Sequence, residues 1–214
     1  MNIGFYGHSN CAYRGKGSYI DIVADHLKAK IVNIGVKQGS EERILHELKC
    51  TSRLDVAVIV HSYSSCLYLP GCDRDVALST MTANRADYVF KAFDRTETPK
   101  FVNRFKDGTS FYDYMLIYKR FFYDPDTQYD RFTGAALQID QYVKSKNIKT
   151  VHITERTRFP GWLKFQHGVV DVNNITEDFK TYAVKQPFFA NCITEEGNYI
   201  VSQKLISLID KCGE

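Results

Sequence analysis

Three short segments of this chain hold side chains able to do chemistry. Gly7, His8, Ser9 and Asn10 follow the apolar run "NIGFY". His61, Ser62, Tyr63, Ser64 and Ser65 follow "DVAVIV". Asn191, Cys192 and Thr194 precede the amphipathic stretch "EEGNYIVSQKLISLID". A serine beside an imidazole suits attack on an acyl carbon, with the imidazole taking the hydroxyl proton. Ser9 is the candidate nucleophile, and His8 and His61 are the candidate bases. Ser40, Ser62, Asn191 and Cys192 are candidate oxyanion or binding residues around Ser9. A second chemistry is metal binding by His8, His61, His152 and Cys192, since imidazole and thiolate are good zinc ligands. Their spacing matches no metal motif, no CxxC pair is present, and neither a metal nor another cofactor is expected. "YRGKGSY" (13–19) sets two glycines and a lysine before a helix start, which suits phosphate. It has neither P-loop nor dinucleotide spacing.

These residues need elements to position them. "NIGFYG" (2–7) reads as a buried strand and "KIVNIG" (30–35) as a second. "LDVAVIVHS" (54–62) is the clearest buried strand, and "IKTVHIT" (148–154) is another. Between them, 18–29 places Tyr19, Ile20, Val23, Ala24 and Leu27 at helical spacing behind a capping Ser18. Ser40 caps a second helix whose first turn is acidic. "RFTGAALQIDQYVKSK" (131–146) reads as a crossover helix, and 194–212 as a final helix. Stretches 76–93 and 111–122 also look helical, and 156–172 reads as a loop ending in a short edge strand. Continuous apolar strands alternating with helices predict a three-layer α/β/α sandwich with a mainly parallel sheet. One α/β domain over 1–214 is expected, with a helical insertion at about 75–147 between the third and fourth strands. Ligands of such sheets sit at the carboxyl ends of the strands. That rule puts His8, His61 and His152 on one rim, three of the six histidines.

Composition narrows the partners. The chain has 214 residues, 44% hydrophobic and 25% charged, as in globular proteins. Net charge is +3 with dispersed basic residues, so nucleic acid is not an expected partner. No segment is apolar for the roughly 20 residues a membrane span needs. The N-terminus lacks the pattern of a signal peptide. A cytoplasmic location with six free cysteines is expected. The 14 Tyr and 14 Phe concentrate between 88 and 132. The stretch 111–130 reads as helical core, or as a stacking surface for a sugar or a partner protein. "RTRFPGW" (156–162) reads as a loop packed around Trp162, or as a cover over the site.

The order and spacing of these segments resemble the SGNH (GDSL-type) hydrolase family. Its first block, a strand followed by Gly-Asp-Ser, is similar to Gly7-His8-Ser9. Its second block, a strand with Asn and Gly before a helix, is similar to "NIGVKQGSEERILHEL" (33–48). Its third block is similar to "LDVAVIVHSYSS" (54–65) in the strand but not in the asparagine that should follow. The surroundings of its last block, Asp-x-x-His before a terminal helix, resemble "FFANCITEEGNYIVSQKLI" (188–206). There Cys192 stands where the catalytic histidine belongs, and Phe189 where its aspartate belongs. The resemblance runs from residue 2 to about 210, apart from the middle insertion. It implies an SGNH-like, flavodoxin-like sheet and an ancestral hydrolysis of carboxylic esters, such as acyl or acetyl groups on a lipid or sugar. The oxyanion glycine it implies is Gly35 or Gly39. Three readings remain open: a binding or assembly protein with a degraded catalytic set, a serine esterase using Ser9 with a relocated histidine, and the metal protein above. An ester, a carbohydrate or a protein is the expected partner. The divergence, aromatic richness and compact size resemble SGNH-like proteins of phages and other viruses, which implies a host cytoplasm or a virion.

Overall fold

The computed structural model describes residues 1–7, 9–11, 17–36, 39–62, 64, 66–68, 75–77, 117–118, 120–154, 159–172, 174–184 and 193–212. Strand β1 (Asn2–Gly7) leads through a 3-10 turn (Ser9–Cys11) toward helix α1 (Tyr19–His26). Strand β2 (Lys30–Asn33), helix α2 (Glu41–Cys50) and strand β3 (Val56–Val60) follow. Short strands β4 (Cys66–Leu67) and β5 (Val76–Ala77) pair antiparallel. The chain continues with helix α3 (Pro125–Ser145), strands β6 (Lys149–Thr154) and β7 (Val169–Val172), and helices α4 (Asn174–Thr181) and α5 (Glu195–Lys211).

The five long strands form one sheet in the order β2-β1-β3-β6-β7, and every pairing is parallel. Parallel neighbours need crossovers, and crossover helices bury both faces of a sheet. On one face Ile3, Phe5, Val56, Val58, Val60, Val151 and Ile153 pack with residues of α1, α4 and α5. On the other, Tyr6, Ala57 and Ile59 meet Ile44 and Leu48 of α2 and Ile139 and Val143 of α3. Alternate side chains of each strand thus reach opposite layers, which is why the runs read as continuously apolar.

The helices start where local chemistry tells them to. Ser18 accepts the Asp21 N–H to cap α1. Ser40 accepts the Arg43 N–H to cap α2, with Glu41 and Glu42 in the first turn. Asp124 caps α3, and Pro125 opens it where a missing N–H costs nothing. Thr194 caps α5 by accepting the Gly197 N–H.

The described elements differ from the sequence expectation in four places. The crossover helix begins at Pro125, six residues earlier than the apolar spacing suggested. Val76–Ala77 is a strand and not the start of a helix, because it pairs with Cys66–Leu67; residues 78–93 lie outside the described residues. Residues 117, 118, 120 and 121 are helical, but Phe121 and Phe122 are exposed and not core. Helix α4 was not foreseen; Ile175 and Phe179 bury one side of it.

The end of β1 is unusually close to its neighbours. Gly7 has φ +145°, and a Cβ there would run into the Val60 carbonyl of β3. A Cβ on Gly35 or Gly39 would lie 2.6 or 2.7 Å from the Gly7 carbonyl oxygen. The loop between β2 and α2 therefore presses on the end of β1, and the Val36 N–H donates to that carbonyl at 3.3 Å.

Candidate functional site

The sheet order reverses direction at β1, so the crevice beyond the carboxyl ends of β1, β2 and β3 is where a ligand is expected. Ser9 stands there, on the first residue of the turn that follows β1. The turn is well anchored. The Tyr19 hydroxyl donates to the Asn10 carbonyl at 2.5 Å, and the Cys11 thiol donates to the Tyr6 carbonyl at 3.5 Å. Burial pushes the Cys11 thiol up to about 12, so it stays protonated and unreactive. His8, Asn191, Cys192 and Phe189 lie outside the described residues, as do Tyr63, Glu155 and residues 13–16 and 156–158.

Ser40 and Gly39 sit at the N-terminus of α2. The Ser40 N–H and hydroxyl both donate to Asp75 Oδ2, at 2.8 and 2.6 Å. Arg43 donates to Asp75 Oδ1 from Nε at 3.0 Å and from a terminal nitrogen at 2.8 Å. Asp75 is fully buried. Ser40 is thus committed to a carboxylate, and an oxyanion there would have to displace it.

His61 leaves the end of β3, its N–H still paired with the Ile153 carbonyl. Its side chain turns to the α2–α3 face. Nδ1 lies 3.0 Å from Glu41 Oε2, and Nε2 lies 2.9 Å from His152 Nδ1. The other Glu41 oxygen accepts the Ser62 N–H at 2.6 Å. Glu41 opens α2, where backbone N–H groups and the helix dipole favour a negative charge. His61, a candidate base, is 1% exposed, and both its ring nitrogens meet buried partners. The placing of His152 on the rim needs correction. The residue lies inside β6, opposite Ile59, with no exposure, and not on the rim. Its Nε2 has no hydrogen-bond partner among the described residues; Asp140 Oδ1 is 3.7 Å away. Burial, and then the neighbouring His61 and His167, hold the His152 imidazole well below its ordinary range. It is therefore neutral at pH 7. The two imidazoles meet nitrogen to nitrogen, which leaves no space for an ion between them. Among the described residues no three His, Cys, Asp or Glu side chains converge to hold a metal.

The loop after β6 covers this pair. Phe165 lies 4.4 Å from the His152 ring and 4.6 Å from the His61 ring, and Phe159 meets His61 edge-on at 5.2 Å. The loop does not pack around Trp162, which is 68% exposed. Glu41, Arg43, Asp75 and Asp140 were missed as site residues. Glu41 reads as one of two ordinary first-turn acids, and no local signal separates it from Glu42.

The fold has counterparts among solved structures. TesA superposes with a TM-score of 0.51 at 7% identity, over 99% of both chains. A protein assigned to the G-D-S-L family of lipolytic proteins from Desulfitobacterium hafniense DCB-2 superposes with a TM-score of 0.51 at 9% identity, over 97% of this chain and 98% of that one. This chain has the SGNH (GDSL-type) hydrolase-like α/β fold. No family model matches it, and no curated protein matches it in sequence. Among the described residues no helix is long and apolar enough to cross a membrane.

Proposed function

We propose that this chain uses a hydrolase-like scaffold, as one α/β unit over 1–214, for binding or assembly and not for ester hydrolysis. One observation carries the reading: His61 is locked between Glu41 and His152. A base for Ser9 needs a free ring nitrogen within reach of the hydroxyl. His61 at the neighbouring strand end offers none. The resemblance adds support, since it aligns Cys192 and Phe189 with the catalytic histidine and aspartate. An ester, a carbohydrate or a protein segment at the crevice beyond β1 is the ligand class this reading favours.

A second reading keeps Ser9 as a nucleophile with His8 as base. It is favoured by the anchored turn that holds Ser9 at the end of β1, and by the Gly35–Gly39 loop pressed against it. Hydrolysis of p-nitrophenyl acetate separates the two. The expected result is a rate equal in the wild type and in Ser9→Ala. A wild-type rate that falls at least about a hundredfold in Ser9→Ala would overturn the binding reading, because a true nucleophile carries orders of magnitude of rate.

A further inference from the structure

The 2.9 Å contact between His61 Nε2 and His152 Nδ1 needs a proton on one nitrogen and a lone pair on the other. The Glu41 carboxylate takes the His61 Nδ1–H. His61 Nε2 is then the lone pair, and His152 Nδ1–H is the donor. That leaves His152 Nε2 bare, 3.7 Å from Asp140 Oδ1. One added proton fits this arrangement, on His152 Nε2 facing the Asp140 carboxylate. A second does not, because both facing nitrogens would then carry N–H. Both rings are buried, so no bulk water is at hand to receive a displaced N–H.

The same groups hold a loop. Phe165 packs on both rings, and Phe159 packs on His61 and stacks on Phe132 at 4.8 Å. Asp140 accepts the Gln166 and His167 N–H groups at 3.0 and 3.1 Å. Residues 159–168 therefore rest on the imidazole pair and on the carboxylate beside it.

We propose that the His61–His152 pair is an acid-operated latch that keeps the 159–168 loop on the sheet and releases it when both rings become charged. The proposal stands whether or not Ser9 is a nucleophile. The titratable groups that face the pair are Glu41 of α2, Asp140 of α3 and His167 of the loop itself; Glu42, Arg43, Asp75 and Arg131 form a charge cluster beyond Glu41. Glu41 and Asp140 favour the first added proton, while burial opposes both. A solvated imidazole has a pKa of about 6.5, and release frees the His152 ring from the burial that holds it below that range. The released state binds more protons in acid than the latched state, so falling pH favours release. For one extra proton, the released population rises about thirtyfold from pH 7.5 to pH 5, and two protons raise it toward the square of that.

Backbone hydrogen exchange of the wild-type chain tests this, with fluorescence of Trp162, the only tryptophan and a residue of this loop. After correction for intrinsic rates, protection over 159–168 is expected to fall at least about thirtyfold from pH 7.5 to pH 5. Protection in β1 and β3 should hold. Loop protection that ignores pH, or that is lost only together with β1 and β3, overturns the latch. His152→Asn keeps an N–H donor toward His61 and has nothing to titrate. Burial holds the latched His152 ring unprotonated, so release takes up two protons in the wild type and one in this variant, and the pH dependence of release is expected to fall by about one proton. An unchanged dependence would assign the effect to His167 or the carboxylates and overturn the proposal. Should that variant fail to fold, ring-nitrogen NMR of the wild type decides. A coupled N–H···N pair at pH 7.5, lost together with loop protection, supports the latch; two independently titrating rings sink it.

Discussion

Asp75→Ala is expected to lower the unfolding free energy by about 3–5 kcal/mol, as removal of one member of a buried ion pair does. Asp75 is 0% exposed, and it accepts two hydrogen bonds from Ser40 and two from Arg43. Without it the Arg43 guanidinium is left in a site where the residue is 8% exposed. The Tyr68 ring, 5.2 Å from the guanidinium carbon, offsets only part of that loss. The Ser40 N–H also loses its acceptor. Truncating both partners, Asp75→Ala with Arg43→Met, is expected to recover much of the loss, since no buried charge is then stranded. Urea unfolding of the wild type, the single variant and the double variant measures this. A single-variant cost under about 1 kcal/mol is the value of an exposed pair and would refute the buried clamp. The clamp matters beyond stability. It fixes the first turn of α2, and hence Glu41 and the glycine loop beside the Ser9 turn.

Glu41→Ala should cost a similar amount, about 3–5 kcal/mol, because two buried donors lose a charged acceptor. These are the Ser62 N–H and the His61 Nδ1–H. Glu41→Gln is expected to cost only about 1–2 kcal/mol, and its effect is of a different kind. The amide oxygen can keep the Ser62 N–H. The amide N–H then faces His61 Nδ1, which must become an acceptor. His61 moves its proton to Nε2, and His152 moves its proton from Nδ1 to Nε2, toward Asp140. One substitution therefore reverses the proton order along the whole chain from Glu41 to Asp140. Ring-nitrogen chemical shifts read this directly. Unaltered tautomers at both histidines in Glu41→Gln would show that the proton order assigned above is wrong.

Much of the fold is written in local pattern. The largely apolar runs at 2–7, 54–62 and 148–154 became β1, β3 and β6 because a strand buried on both faces is mostly apolar along its length, with Thr150, His152 and Thr154 as buried polar exceptions in β6. Ser18 and Ser40 mark their helices because an orphan N–H in the first turn needs an acceptor nearby in sequence. The edge strand in 156–172 was also readable, and it is β7. The aromatic stretch misled. Phe121 and Phe122 look like core by composition, yet they face solvent, since hydrophobic residues are inside only where neighbours exist to cover them.

The site divides along the same line. The sequence alone determined that a serine follows the first strand and that two histidines accompany the third and fourth long strands, because strand ends are set by short-range pattern. Only the tertiary structure decided what those histidines do. His61 and His152 are 91 residues apart, and Asp75 and Ser40 are 35 apart. No local signal couples such positions. They meet because the parallel order β1-β3-β6 aligns Ile59 with His152 and carries His61 just beyond, on the face that α2 and α3 cover. A residue type announces that it can bind a proton. Whether it gives that proton to a substrate or shares it with a buried neighbour depends on which layer its strand turns it toward, and that is a property of the packed sheet.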